Sequence, residues 1–278
     1  MTFGPFSEAT LRLSAFVGIF LTMALLEHWA PRRRLTAPKL RRWTTNLSIV
    51  GLGMAVGRGL GLLALPLTAV GAASLADAHG WGLLHQVALP AWLEVVVTLV
   101  VLDFAVWLQH LASHRVPALW RIHRVHHADV DIDVTTALRF HPVEIGLSML
   151  YKAVWVLLLG PPAAGVVLFE IILNGGAMFN HANLALPAGL DRPLRALIVT
   201  PDMHRVHHSV LAREHDSNYG FNLSIWDRAF GTYTAQPEEG HGAMTIGLAD
   251  FQSGQPSEIM WSLGLPFRRG DLRASPPI

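Results

Sequence analysis

Between His110 and His127 the chain reads HLASHRVPALWRIHRVHH, five histidines within eighteen residues. They form His-x-x-x-His (His110, His114) and then His-x-x-His-His (His123, His126, His127). The second pattern returns as His204, His207 and His208 in PDMHRVHHS. Residues three and four apart share one face of a helix, so each box aims two or three imidazoles at one point. Neutral imidazole suits iron, zinc, copper and nickel as a ligand. The eight boxed histidines are twice what a tetrahedral zinc takes and too few to fill two octahedra unaided, which favours two metals. Structural zinc sites are small and often thiolate-rich, whereas this chain has no cysteine. Zinc hydrolysis is weakly supported, because there is no His-Glu-x-x-His. Nitrogen ligands around two adjacent ions fit a redox metal that binds and splits dioxygen, with iron the first choice. His28, His79, His85 and His241 have no such spacing and read as surface or satisfied core residues.

These boxes need a scaffold, and the composition points to a membrane. The chain has 278 residues, 51% hydrophobic and 15% charged, against about 25% charged in ordinary soluble domains. Mean hydropathy is +0.37, and nine tryptophans fit interfacial anchors. The net charge of +1 gives no reason to expect nucleic acid. Without cysteine there is no disulfide, no Cys-ligated iron–sulfur cluster and no thiol catalysis. The N-terminal MTFGPFSEATLRLSAFV lacks the basic region and small-residue cleavage site of a signal peptide, so its apolar stretch is expected to be retained as an anchor.

Leu13–Leu26 reads as a first span, closed by Glu27, His28 and Trp29. The basic stretch 31–42, PRRRLTAPKLRR, marks the cytoplasmic side by the positive-inside rule. Asn46–Val70 is the second span, with Arg58 inside it and a bend or break expected at Pro66. Residues 71–90 read as a loop or interfacial segment. The third span, Ala91–Gln109, runs directly into the first box. Asp103 lies two turns before His110 on the same face; it serves either a helix-packing hydrogen bond or a metal-bound histidine. Ile145–Gly160 and Ala163–Phe179 flank Pro161-Pro162 as a hairpin, interrupted by Lys152 and Glu170. The tail after Pro266, FRRGDLRASPPI, looks disordered. If the basic stretch is cytoplasmic, counting spans brings all three boxes to that same side.

From about Leu102 to Tyr233 the chain resembles the fatty acid hydroxylase/sterol desaturase superfamily of integral membrane oxygenases. The resemblance is carried in order by LDFAVWLQHLASH, LWRIHRVHH, RFHPVE, FNHANLALP, DMHRVHHS and NYGFNLSIWDRAFGTY. It implies a dimetal centre that activates dioxygen and oxidises a lipid such as a fatty acyl chain, sterol, carotenoid or alkylglycerol. By the same resemblance the ligands are the eight boxed histidines together with His181 in FNHAN. Relatives of the sphingolipid hydroxylases place a further histidine four residues later, where this chain has Ala185. His141 or His215 could substitute as a tenth ligand, or support the centre from outside. Asp202 and Asp216 are candidate acceptors for ligand N–H groups. Trp226 and Phe230 belong either to an interfacial helix or to a substrate contact.

The expected architecture is all-α and polytopic: about four transmembrane helices, the 145–179 hairpin counted apart, and a cytoplasmic histidine-rich helical cap. Its parts are N-terminal spans with the basic loop (1–90), a fatty acid hydroxylase-like catalytic domain (91–235) and a cytoplasmic tail, partly disordered (236–278). The expected activity is hydroxylation or desaturation of a lipid by two iron ions with dioxygen as co-substrate. No catalytic residue is assigned beyond the metal ligands. Electrons would come from a separate ferredoxin or cytochrome-type donor with its reductase, since the chain has no G-x-G-x-x-G nucleotide fold or iron–sulfur ligands. The competing classes are a membrane metallohydrolase and a non-catalytic metal-binding membrane protein.

Overall fold

The computed structural model describes residues 2–3, 6–64 and 67–268. Pro66 and the end of the tail, 269–278, lie outside the described residues, and with them the bend and most of the disorder expected there. Helix α1 (Glu8–Trp29) starts where the Ser7 hydroxyl accepts the Thr10 N–H and Glu8 meets the positive end of the helix dipole. None of its most apolar stretch is buried, as befits a helix facing lipid. Its one buried residue is Glu27, at the end near the histidines. There the carboxylate accepts the N–H groups of Val134 (2.6 Å) and Asn183 (2.7 Å).

Helix α2 runs from Lys39 to Leu63, seven residues earlier at both ends than Asn46–Val70. The last four residues of the basic stretch are therefore its first turn. The cause is Arg42, fully buried at this end of the helix. Its Nε and Nη2 donate to Asp129 at 2.6 and 2.8 Å, and its Nη1 donates to Asp133 at 2.6 Å. Asn46, one turn on, also donates to Asp129 at 3.0 Å.

Residues 71–90 are not simply a loop. Helix α3 (Ala69–His79) is capped by the Thr68 hydroxyl and ends at Gly80 in the left-handed region. Its alanines approach α6 (Pro142–Leu159) and α7 (Ala163–Asn180) closely, and Ala72 and Ala73 join Leu102, Val156 and Phe169 in the largest apolar core. Beyond it, Gly82 (φ +97°) meets the α6–α7 turn so closely that a Cβ would stand 2.3 Å from the Gly160 nitrogen.

Helix α4 (Ala91–Arg115) follows, then α5 (Pro117–His127). Among the described residues, α1, α2, α4, α6 and α7 are long and apolar enough to cross a membrane, one more than the expected count. The hairpin helices are 18 residues each, roughly 27 Å of helix. Their interrupting charges pair with one another: Lys152 Nζ donates to Glu170 Oε1 at 2.5 Å. Helices α1 and α2 pack against α7 and α6 respectively. Apart from a two-residue pairing of Thr2–Phe3 with Phe6–Ser7, the elements described are helical.

The short helices α8 (Ala188–Leu197), α9 (Pro201–His207), α10 (Ala212–His215), α11 (Ile225–Ala229), α12 (Gly240–Ala243) and α13 (Ile259–Gly264) close the histidine end of the bundle. The basic stretch is fastened to that end. Arg32 pairs with Asp202 at 2.9 Å, and the Thr36 N–H donates to Asp131 at 2.8 Å.

Removing the Arg42 guanidinium would leave two buried carboxylates without their main partner. Arg42→Met is expected to cost about 3–5 kcal/mol of stability, read as a lower unfolding midpoint or loss of folded protein in detergent. An unchanged midpoint would show that this network does not anchor α2.

Candidate metal centre

The end of α4, all of α5, the end of α7 and α9 converge, and the nine histidines singled out by the boxes and by FNHAN fall into two groups. His110, His114, His123, His127 and His207 form one, and His126, His181, His204 and His208 the other. Within each group one nitrogen per ring lies within 4.8 Å of the others. All nine rings are buried. In both boxes the pair four apart stays together, His123 with His127 and His204 with His208, while the ring three residues from one of them turns to the other group, a finer division than a face shared by residues three and four apart implies. On α9, His207 goes to the first group and His204, with His208 just beyond the helix, to the second.

In the first group the far side of several rings is held. His110 Nδ1 donates to the Tyr219 carbonyl and His207 Nδ1 to the Ser217 carbonyl, both at 2.7 Å. His123 Nδ1 lies 2.6 Å from Glu144 Oε1, and His114 Nδ1 lies 3.5 Å from Asp216 Oδ1. These contacts leave Nε2 of His110, His123 and His207 facing inward, buried and without a protein partner. In the second group, His181 Nδ1 donates to the Ala177 carbonyl at 2.7 Å, so its Nε2 carries a lone pair. That Nε2 is 3.0 Å from both His126 Nε2 and His204 Nε2. A single lone pair facing two further imidazole nitrogens, among rings with several buried nitrogens unpartnered, fits a cation, and the arrangement is that of a dimetal site with an all-nitrogen donor set. His126, His204, His207 and His208 also sit far below the ordinary histidine pKa of 6.5, chiefly through burial. Burial likewise takes His181 down to about 4. Neutral imidazole is the form that binds metal.

The carbonyls that aim His110 and His207 are themselves fixed. Asn218, between them, has φ +53°, a conformation asparagine tolerates better than most residues. It donates to the Met203 and Thr234 carbonyls at 2.9 and 2.8 Å. Asp227 accepts the Tyr219 and Gly220 N–H groups at 2.8 and 2.9 Å, and Trp107 Nε1 at 3.1 Å.

Other expectations resolve differently. Asp103 touches no histidine; it accepts from Asn222, the Leu223 N–H and Trp226 Nε1 at 2.9, 3.2 and 2.9 Å, a packing role. Asp202 binds Arg32 and Arg205 rather than a boxed ring. His241 is buried on α12, 3.6 Å from the same carboxylate. His141 caps α6 by accepting the Val143 N–H, and His215 stacks on Trp120 at 5.5 Å. Neither joins a group. Phe230 stacks on Trp107 at 4.7 Å. Sequence reasoning missed Glu144 and Asp227. Glu144 had a local signal: a carboxylate in the first turn after the box-like RFHP.

A cavity of about 730 Å³ reaches the first group at His110 and His123 and runs down between α1, α2, α6 and α7. Its walls include Leu13 and Met54, 64% and 69% exposed on the lipid-facing side.

Fold and site together define a class, a helical membrane protein whose spans deliver a two-part histidine centre to one end of the bundle. The model of the family described as Fatty acid hydroxylase matches residues 95–232, the segment that holds all nine histidines, and the chain belongs to this family. It is 31% identical over 148 residues to an ornithine lipid hydroxylase, OlsE, of Rhizobium tropici, covering 53% of this chain and 44% of that one. To the alkylglycerol monooxygenase of Homo sapiens it is 32% identical over 138 residues, 49% of this chain and 30% of that one. A cholesterol 25-hydroxylase-like protein of Danio rerio is 29% identical over 142 residues, 50% and 55% respectively. The chain thus spans less than half the length of the first two relatives. No solved structure matches.

The rings of His126, His181, His204, His207 and His208 set a pH dependence in metal-free protein. Their folded pKa lies below the unfolded 6.5, so below that pH the unfolded chain binds more protons and stability falls with falling pH. Thermal melts after chelation are expected to be flat above about pH 7.5 and to drop steadily from about pH 6.5 toward pH 4. A midpoint that rises on acidification would contradict neutral burial.

Proposed function

We propose that this protein is a membrane-embedded di-iron oxygenase that uses dioxygen and external electrons to hydroxylate or desaturate a lipid. The observation that carries this reading is a lipid-facing cavity that ends on His110 and His123, beside two adjacent histidine-only groups. The relatives named as lipid hydroxylases and monooxygenases support it. His110, His114, His123, His127 and His207 would hold one ion, and His126, His181, His204 and His208 the other. Bound and reduced, such ions supply dioxygen activation and cleavage of an unactivated C–H bond.

The chain's own residues do the rest. Apolar walls align the lipid and exclude water around the histidines. Glu144 and the carbonyls of Tyr219, Ser217 and Ala177 fix which ring nitrogen faces inward and keep it a lone pair. With fewer than six imidazoles in each group, the histidines would leave room for dioxygen beside the ions they hold.

Electrons would arrive from a separate ferredoxin or cytochrome-type donor, because the chain has no cysteine for an iron–sulfur centre of its own. The arginines of the 31–42 stretch lie at the histidine end, which by the positive-inside rule would place that end in the cytoplasm.

Purified protein expressed with iron is expected to hold about two iron atoms per chain, and His207→Ala to abolish lipid oxidation while inserting normally. Iron content and oxidised lipid, normalised to inserted protein, check this. One zinc without iron-dependent turnover, or full activity in the variant, would remove the di-iron assignment.

The chain lacks cysteine, so single thiols report topology cleanly. Arg34→Cys and Arg121→Cys are both expected to react with a membrane-impermeant reagent only from the cytoplasmic face. Labelling of the two from opposite faces would break the proposed topology.

A further inference from the structure

The cavity has a second end. Its walls are apolar through Phe16, Val106, Ile145 and Met149, then reach Arg12, Lys152 and Glu170. Arg12 Nη2 and Lys152 Nζ both meet the Glu170 carboxylate, at 2.7 and 2.5 Å, and Arg12 Nε also binds Glu8 at 3.0 Å. A smaller cavity of about 250 Å³ shares Arg12, Met149, Lys152 and Glu170 as walls and extends to Thr68–Val70 at the start of α3. Glu170 lies eleven residues before His181 on α7, roughly 16 Å along the helix from the histidines.

Ionisable side chains inside membrane helices are costly, and they concentrate along substrate paths. Helix packing explains one carboxylate with one cation. It does not call for two cations on one carboxylate at the junction of two cavities. A guanidinium has five N–H donors and an ammonium three, so both cations keep donors beyond those Glu170 and Glu8 use.

We infer that the Arg12–Glu170–Lys152 cluster binds the polar head of the lipid whose chain fills the cavity. This rests on the lipid-oxygenase reading and adds the substrate's orientation: head away from the histidines, chain end toward them. Alternating carboxylates and cations (Glu8, Arg12, Glu170, Lys152) carry no net charge. They therefore suit a neutral or zwitterionic head that accepts hydrogen bonds, and oxidation falls well along the chain instead of beside the head.

The test is binding of radiolabelled hexadecane, hexadecan-1-ol and hexadecanoyl lysophosphatidylcholine to the purified, metal-loaded full chain. The two headed probes are expected to bind about tenfold more tightly than hexadecane, the size of one charge-assisted hydrogen bond. Lys152→Met is expected to erase that advantage with metal content and hexadecane binding unchanged, and Lys152→Arg to keep it. Equal binding of all three probes by the wild-type protein overturns the proposal, as does a full head preference in Lys152→Met. The wild-type comparison decides alone if the methionine variant fails to insert. Turnover is read separately. Head-selective binding by a protein that oxidises no lipid removes the oxygenase reading and leaves the head site standing.

Discussion

Nine imidazoles buried together, several with lone pairs directed at one another, are the constraint around which this molecule is arranged. Such a cluster is unfavourable in isolation: burial disfavours charge on the rings, and those whose N–H is taken up by a carbonyl outside the cluster have no proton to offer a neighbour. The structure meets this by holding the outer nitrogens from behind. Three main-chain carbonyls and the Glu144 carboxylate take up Nδ1 atoms of four rings, so that the inner nitrogens are presented as donors to a cation.

The membrane helices serve that presentation. Helix α4 delivers His110 and His114 as the continuation of an apolar run, and α7 ends at His181. The segment between α5 and α6 would be free to move were it not pinned by the buried Arg42 network. Arg139 extends the pinning, donating to the Val125 carbonyl at 2.8 Å and to Asn46 Oδ1 at 2.8 Å. Asp129 illustrates the energetic balance. Burial alone would raise its pKa, yet the Arg42 guanidinium and its hydrogen bonds bring it down to about 2. The carboxylate thus stays charged, and its attachment is lost only as the pH falls from the usual carboxylate range through that value.

The histidine boxes were legible because their chemistry is written in local spacing, and the third span because it is long, apolar and continuous with a box. What escaped was set by distant partners. The early start of α2 depends on aspartates some ninety residues away. The alternation of Asp129, Asp131 and Asp133 was itself visible in the sequence, as a dense set of carboxylates in a chain poor in charge, but its meaning required Arg42. Helix α3 was missed because alanine and glycine give no amphipathic pattern; its stability comes from close approach to α6. Of the two roles open to Asp103 the structure shows packing, with Asn222, Leu223 and Trp226, all over a hundred residues later, as its partners.

The way α5 and α9 each divide their histidines between both groups has a consequence for biogenesis. Neither group can be assembled from one helix, and neither helix can settle without shaping both groups. A chain whose α9 has yet to dock holds four members of the first group but only His126 and His181 of the second. The second group is therefore completed only once segments some eighty residues apart have met.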